Sequence, residues 1–190
     1  MSLYLTRHGQ TDWNKADVTQ GRIDIPLNET GISEAYKLKE KLKDIHLDVI
    51  YCSPLIRARK TTEIINEGRN IPVVLEPKLM EMYYGQLERK PRTSEEYLSQ
   101  RKRFATRYPG GESYLDVAAR VFPFLNYLNS TARDKDILLV CHGGISRVIS
   151  AYFRPMENDE FIYFGMDNCG LLKFEFPDLP PVDYYEDDPD

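Results

Sequence analysis

The chain has 190 residues, 42% hydrophobic and 29% charged, with a net charge of −5, which suits one domain with a full core. No apolar stretch reaches the length of a membrane span and no basic-then-apolar leader opens the sequence, so a cytoplasmic protein without a membrane partner is expected. Residues 183–190 carry five acids and no base, leaving the rest of the chain neutral, which excludes the basic body of a nucleic-acid binder.

In chain order, Leu3-Tyr4-Leu5 reads as a short buried strand that runs into Arg7-His8-Gly9. Strand ends are where open α/β sheets bind ligands. Arg7 offers a planar fork of donors for phosphate oxygens. His8 offers a ring nitrogen able to attack near neutral pH. After a loop over 9–21, apolar Ile32, Ala35, Leu38, Leu42 and Ile45 fit one face of a helix over 31–45. His46 would close it by capping carbonyls.

A strand over 47–52 leads to Ser53 as helix N-cap with Pro54 in the first turn. That helix runs to about Asn66 and places Arg57 at its anion-favouring start. A strand over 73–76 precedes Glu81, which lies between Met80 and Met82. Part-burial there would favour its protonated form and suit a proton donor. Glu76 and Glu88 compete for that role. Tyr83 and Tyr84 beside it read equally as pocket wall or core.

Residues 86–111 are polar and form a short cap, with helix over 95–108. Within 86–107, seven bases against three acids leave a net +4. It reads either as a solvated face or as a field that attracts an anionic substrate. Ser113 and Asp116 set a capping box for a helix to about Ser130, with Pro123 as a kink. The apolar run 137–141 is a central strand ending on His142-Gly143-Gly144. A helix over 143–153 and a strand over 170–176 follow. Two of three histidines thus follow two strands, each backed by glycine. The alternation predicts an α/β domain over 1–176 with a mainly parallel sheet, and a Pro-rich acidic tail over 177–190.

Cys52, Cys141 and Cys169 are odd in number and far apart. They read as reduced, buried thiols, with neither CxxC spacing nor a helical His pair for a metal. Two arginines and two histidines on one lip suit phosphoryl transfer, in which Arg7, Arg57 and His142 would neutralise charge on the phosphoryl oxygens.

The segments 5–14, 20–21, 27–31, 51–58, 79–81, 110–113 and 140–144 together resemble the histidine phosphatase superfamily (phosphoglycerate-mutase-like), over residues 3 to about 176. The resemblance implies a three-layer α/β/α sandwich with no metal and no cofactor. It implies His8 as phosphorylated nucleophile and Glu81 as proton donor. It implies Arg7, Arg57 and His142 as phosphate ligands, with Asn14, Gln20 and Gly21 at the entrance and Gly143 beside His142. The partner implied is a small phosphorylated metabolite. Gln10 stands where the family more often has glutamate, and Arg22 where many members carry tryptophan. The stretch from Glu81 to Gly110 is short and lacks the paired-arginine motif of the mutases. A phosphatase is therefore favoured over a cofactor-dependent phosphoglycerate mutase. A non-catalytic phospho-ligand sensor on the same fold is the rival from another class.

Overall fold

A computed structural model describes residues 2–132 and 134–176; the expected acidic tail lies outside them. The elements are β1 (Ser2–Arg7), α1 (Asp12–Lys15), α2 (Glu29–Leu42), β2 (Val49–Cys52), α3 (Ile56–Asn66) and β3 (Val73–Leu75), then α4 (Glu95–Arg101), α5 (Tyr114–Thr131), β4 (Ile137–Cys141), α6 (Gly143–Phe153), α7 (Asn158–Tyr163) and β5 (Leu171–Glu175).

The five strands form one sheet in the order β3-β2-β4-β1-β5. β1, β2, β3 and β4 run parallel to one another, and β5 closes the far edge antiparallel to β1. β4 is buried at every position, because helices cover both faces. Its pleat divides the core. Ile137, Leu139 and Cys141 pack with Val121, Phe124 and Leu125 of α5 and Ile145 of α6. Leu138 and Val140 pack with Leu38 of α2 and Ile64 of α3. The α/β/α layering read from the sequence is therefore present. All three cysteines are buried and unpaired. Among the described residues no helix is long and apolar enough to cross a membrane.

Several local expectations are corrected. α2 begins at Glu29 because Asn28 caps it, accepting from Gly31 N at 2.9 Å, and it ends at Leu42. His46 caps nothing; its ring lies 3.1 Å from Asp48. The guanidinium of Arg69 takes the Leu42 and Ile45 carbonyls instead. Ser53 is not an N-cap. α3 starts at Ile56, whose N–H is taken by Asp24 Oδ1 at 2.7 Å, and the Ser53 hydroxyl meets His142. The helix expected over 95–108 stops at Arg101; Gln100 Nε2 then donates to the Thr106 and Arg107 carbonyls and folds the chain back. The capping box of Ser113 and Asp116 opens α5, which runs unbroken to Thr131 with Pro123 inside.

One contact sets how closely the β1–α1 loop lies on α2. A methyl at Gly31 would fall 2.1 Å from the Gln10 carbonyl oxygen, and one at Gly9 would fall 2.4 Å from the Gly31 carbonyl oxygen. Backbone meets backbone, so no side chain can move aside. Gly31→Ala is expected to cost about 1–3 kcal/mol and to lower the melting temperature by roughly 2–12 °C for a chain of this size. Differential scanning calorimetry on the pair checks it; an unchanged melting temperature would mean that the loop and α2 are not held together.

Candidate active site

The register of β1 on β4 pairs Arg7 with Cys141. The next residues, His8 and His142, therefore leave the sheet side by side, with ring centroids 5.1 Å apart. Neither sequence segment alone fixes this; it follows from one strand alignment. β2 pairs with β4 so that Cys52 faces Val140. This brings Ser53 and the start of α3, with Arg57, to the same carboxyl end of the sheet.

His8 is 3% exposed and its hydrogen bonds define its tautomer. Nδ1 lies 2.7 Å from the Gly9 carbonyl, which only accepts, so Nδ1 carries the proton. Nε2 receives Arg57 Nε–H at 3.2 Å, so it holds the lone pair. Burial, then the Arg57 and Arg7 charges, push the His8 pKa well below its usual value. His142 is pushed down likewise, by burial first and Arg57 next. Both rings are neutral at pH 7.

Arg57 is 1% exposed. Nη1 donates to the Ile23 carbonyl at 2.9 Å and Nη2 to the Gly21 carbonyl at 2.7 Å, which fixes the fork beside His8. Burial brings its pKa down to about 10, so it stays cationic. Arg7 Nη1 donates to the Met166 carbonyl at 2.8 Å, while Nε is buried with no protein partner. The Nδ1 of His142 is likewise buried without a partner, and its Nε2 lies 2.7 Å from Ser53 Oγ. The Ser53 hydroxyl accepts from Leu55 N, so its O–H is free to donate to His142 Nε2; in that tautomer His142 Nδ1, like Arg7 Nε, is a buried unpaired donor of the kind an anion would engage.

These groups border a cavity of about 360 Å³. Arg7, His8, Arg57 and Glu81 line it, as do Asn14, Gln20, Gly21 and Gly143; His142 stands behind the wall. Of the three competing glutamates only Glu81 is on the wall. Glu76 caps Lys78 N, and Glu88 accepts from Arg22 N. Glu81 Oε1 accepts from Met82 N at 2.8 Å and Oε2 from Gly144 N at 3.1 Å. A methyl at Gly144 would sit 2.6 Å from Glu81 Oε1, so the second glycine of the 142–144 motif makes room for that carboxylate. Asn14 closes the capping box on Thr11; Gln20 Oε1 has no protein partner. Five guanidiniums face the cavity against two carboxylates, Asp17 and Glu81, which makes it attractive to anions.

Of the other residues here, Arg92 was marked only by the net charge of its 86–107 segment, and the rest had no sequence signal. Thr61 Oγ1 accepts from Gly9 N at 3.0 Å and donates to the Arg57 carbonyl at 2.8 Å. Asn168 Nδ2 donates to the His8 carbonyl at 2.8 Å. Arg92 and Arg147 stand on the cavity wall although one lies in an apparently surface-bound basic stretch and the other in an apolar helix. All reach the site through long-range contacts that no local pattern marks. Among the described residues no three His, Cys, Asp or Glu side chains converge as a metal set.

A model of the histidine phosphatase superfamily (branch 1) matches residues 3–181. The chain is 40% identical over 141 residues to the uncharacterized phosphatase PhoE of Bacillus subtilis (strain 168), covering 73% of this chain and 70% of that one. It is 36% identical over 187 residues to the probable phosphoglycerate mutase GpmB of Photorhabdus laumondii, covering 95% and 87%. The solved structure of Bacillus stearothermophilus YhfR superposes with a TM-score of 0.83 at 29% identity, covering 93% of this chain and 92% of that one.

Two buried neutral histidines make stability depend on pH. Unfolded, each titrates near its usual value of about 6.5; folded, each resists protonation. Below about pH 6.5 the unfolded chain binds more protons, so stability is full above that value and falls as pH drops towards the lowered folded values. The slope is up to about 1.4 kcal/mol per pH unit for each ring. Urea unfolding at pH 7 and pH 5 is expected to show this loss, and His142→Gln to remove about half of it. Equal pH dependence in the variant would mean that His142 is not held neutral.

Proposed function

Because the chain belongs to the histidine phosphatase superfamily, with phosphatases and phosphoglycerate-mutase-like proteins as relatives, we propose that it hydrolyses small phosphomonoesters through a phosphohistidine on His8. On this reading the reaction needs no metal and no cofactor. The observation that carries it is the His8 ring, neutral and buried. Its proton is pinned on Nδ1 by the Gly9 carbonyl, and its Nε2 lone pair is met by Arg57 Nε–H at the wall of the arginine-lined cavity.

In the first step the Nε2 lone pair forms a bond to phosphorus and the ester P–O bond breaks. Glu81 gives its proton to the departing alkoxide. Arg7, Arg57 and His142 donate to the three phosphoryl oxygens as charge builds. The Nδ1–H···O=C bond to Gly9 persists throughout and steadies the cationic ring of the intermediate. In the second step water attacks phosphorus, Glu81 takes its proton, and the P–N bond breaks to return neutral His8 and inorganic phosphate. Asn14, Gln20, Gly21 and Gly143 shape the entrance.

Turnover of p-nitrophenyl phosphate tests the reading. His8→Ala is expected to abolish it, and Glu81→Gln to slow alkyl esters by roughly 10²–10⁴ while KM changes little. EDTA is expected to have no effect. Several per cent of wild-type activity in His8→Ala would overturn the covalent step, and loss in EDTA restored by zinc or magnesium would overturn the metal-free one. Faster exchange between 2- and 3-phosphoglycerate than hydrolysis would favour the mutase reading, which the 36% identical relative keeps in play. No turnover of any ester would favour the sensor.

The basic 86–107 segment contributes less of itself than its charge suggests. Lys90 pairs with Glu96, Arg107 with Asp116, and Lys102 and Arg103 are exposed. Only Arg92 and Arg101 reach the cavity wall, where Arg147 of α6 joins them. The Nε of all three is buried without a hydrogen-bond partner, but Arg92 pairs with Asp17 at 3.0 Å and Arg147 donates to the Tyr114 hydroxyl and the Phe164 carbonyl, which leaves Arg101 without a fixed partner among the described residues. On this reading Arg101 takes a second anionic group of the substrate. Arg101→Gln is expected to lower the kcat/KM preference for a carboxylated over a neutral-tailed ester roughly 10- to 100-fold, and Lys102→Gln to leave it unchanged. An unaltered preference in Arg101→Gln would overturn this assignment.

A further inference from the structure

Glu81 lies between β3 and α4, on the stretch that joins two short 3-10 turns at Pro77–Leu79 and Gly85–Leu87. A cluster outside the cavity holds it. The capping box that starts α5 fixes the chain at Ser113, and Glu112 immediately before it accepts from two guanidiniums. Arg120 of α5 meets it side-on, Nε to Oε1 at 3.0 Å and Nη2 to Oε2 at 3.2 Å. Arg22 Nη2 donates to Oε1 at 3.0 Å.

Each member also grips the stretch that carries Glu81. Arg120 Nη1 donates to the Lys78 carbonyl, and Nη2 lies 2.8 Å from that of Met80. Arg22 Nε reaches the Glu81 carbonyl at 3.4 Å. Glu112 Oε2 accepts from Tyr83 N at 2.9 Å, and Glu112 N donates back to the Tyr83 carbonyl at 2.8 Å. The side chains of Glu112 and Arg120 are each only 18% exposed, so solvent competes little for these bonds. One carboxylate thus organises two arginines around the backbone on both sides of Glu81. None of the three lines the cavity.

We propose that Glu112, Arg120 and Arg22 are positioning residues for the proton-transfer step: they fix the 78–83 backbone so that the Glu81 carboxyl meets the leaving oxygen. This rests on the reading of Glu81 as proton donor. It has a signature that general loosening of the fold lacks. An ester of an acidic phenol leaves without help from a proton, whereas an alkyl ester needs one. Hydrolysis of the phosphohistidine, in which Glu81 takes the proton of water, is common to both esters and enters kcat but not kcat/KM, so in kcat/KM damage to the brace falls on alkyl esters.

The experiment compares kcat/KM for an alkyl phosphate and for 2,4-dinitrophenyl phosphate in wild type, Glu81→Gln, Glu112→Gln, Arg120→Lys and the double variant Glu81→Gln/Glu112→Gln. Arg22→Met, whose side chain is 37% exposed, serves as the mildest variant should Glu112→Gln fail to fold. The brace predicts a loss of roughly 10–100-fold on the alkyl ester and under about 3-fold on the dinitrophenyl ester for Glu112→Gln and Arg120→Lys. Arg22→Met follows the same pattern more weakly. It also predicts that Glu112→Gln adds almost nothing once Glu81 is gone. Equal losses on both esters, or losses that multiply in the double variant, would overturn the brace while leaving the donor reading intact. If Glu81→Gln itself shows no leaving-group dependence, the donor reading fails first and the brace falls with it.

Discussion

The alignment of β1 against β4 is the constraint on which the site depends. One step of slip would move Arg7 away from Cys141 and part the two imidazoles that follow these strands. The register is held by burial. β4 has no exposed position, and its alternate residues serve two different helical layers. A one-residue slip would exchange the two sets and misfit both. The packing that stabilises the sheet and the geometry that juxtaposes His8 with His142 are one and the same. The cost is that both rings are taken from water, where each would be partly protonated near neutrality, into a place that keeps them uncharged.

Around this pair the fold divides its work. Carbonyl groups orient the side chains of the candidate site: Gly9 sets the His8 tautomer, Gly21 and Ile23 hold Arg57, and Met166 holds Arg7. Because carbonyls accept and never donate, they leave the arginines their full charge. The donors that remain unpaired, on Arg7 and His142, are those nearest the phosphoryl position on the proposed reading. Glu81 is held the opposite way, by backbone N–H groups of Met82 and Gly144. Cations and anion are thus each oriented by main chain of the complementary polarity, which is largely independent of neighbouring side chains.

Much of this was legible in the sequence where strand periodicity and punctuation coincide. His8 and His142 each follow an apolar run and precede glycine, and Glu81 is the glutamate set between two methionines. Legibility ends where a distant group decides a local outcome. Ser53 has the composition of an N-cap, but Asp24, far earlier in the chain, takes the N–H that starts α3, and the serine hydroxyl turns to His142 instead. His46 has the position of a C-cap, but the longer Arg69 reaches those carbonyls first. Arg120 and Arg147 look like ordinary helix arginines, since only the folded chain shows which are buried. Arg101 and Lys102 are adjacent in one basic run, and their different fates follow from the end of α4 between them.

The three thiols give the chemistry a further property. Cys141 lies directly before His142 at the heart of the site, and Cys52 directly before Ser53. Burial pushes the Cys52 thiol up to about 11 and Cys169 to about 12, and raises Cys141 further still. Thiols react with electrophiles and oxidants as thiolates, and at neutral pH almost none exists here. Sulfur is therefore present directly before His142, yet in its unreactive protonated form. It cannot compete for the phosphoryl group, and alkylating agents or peroxide have no ready target there. On the proposed reading, the nitrogen nucleophile of His8 thus works beside thiols that burial holds in the protonated form, so phosphoryl transfer has no sulfur rival near neutral pH.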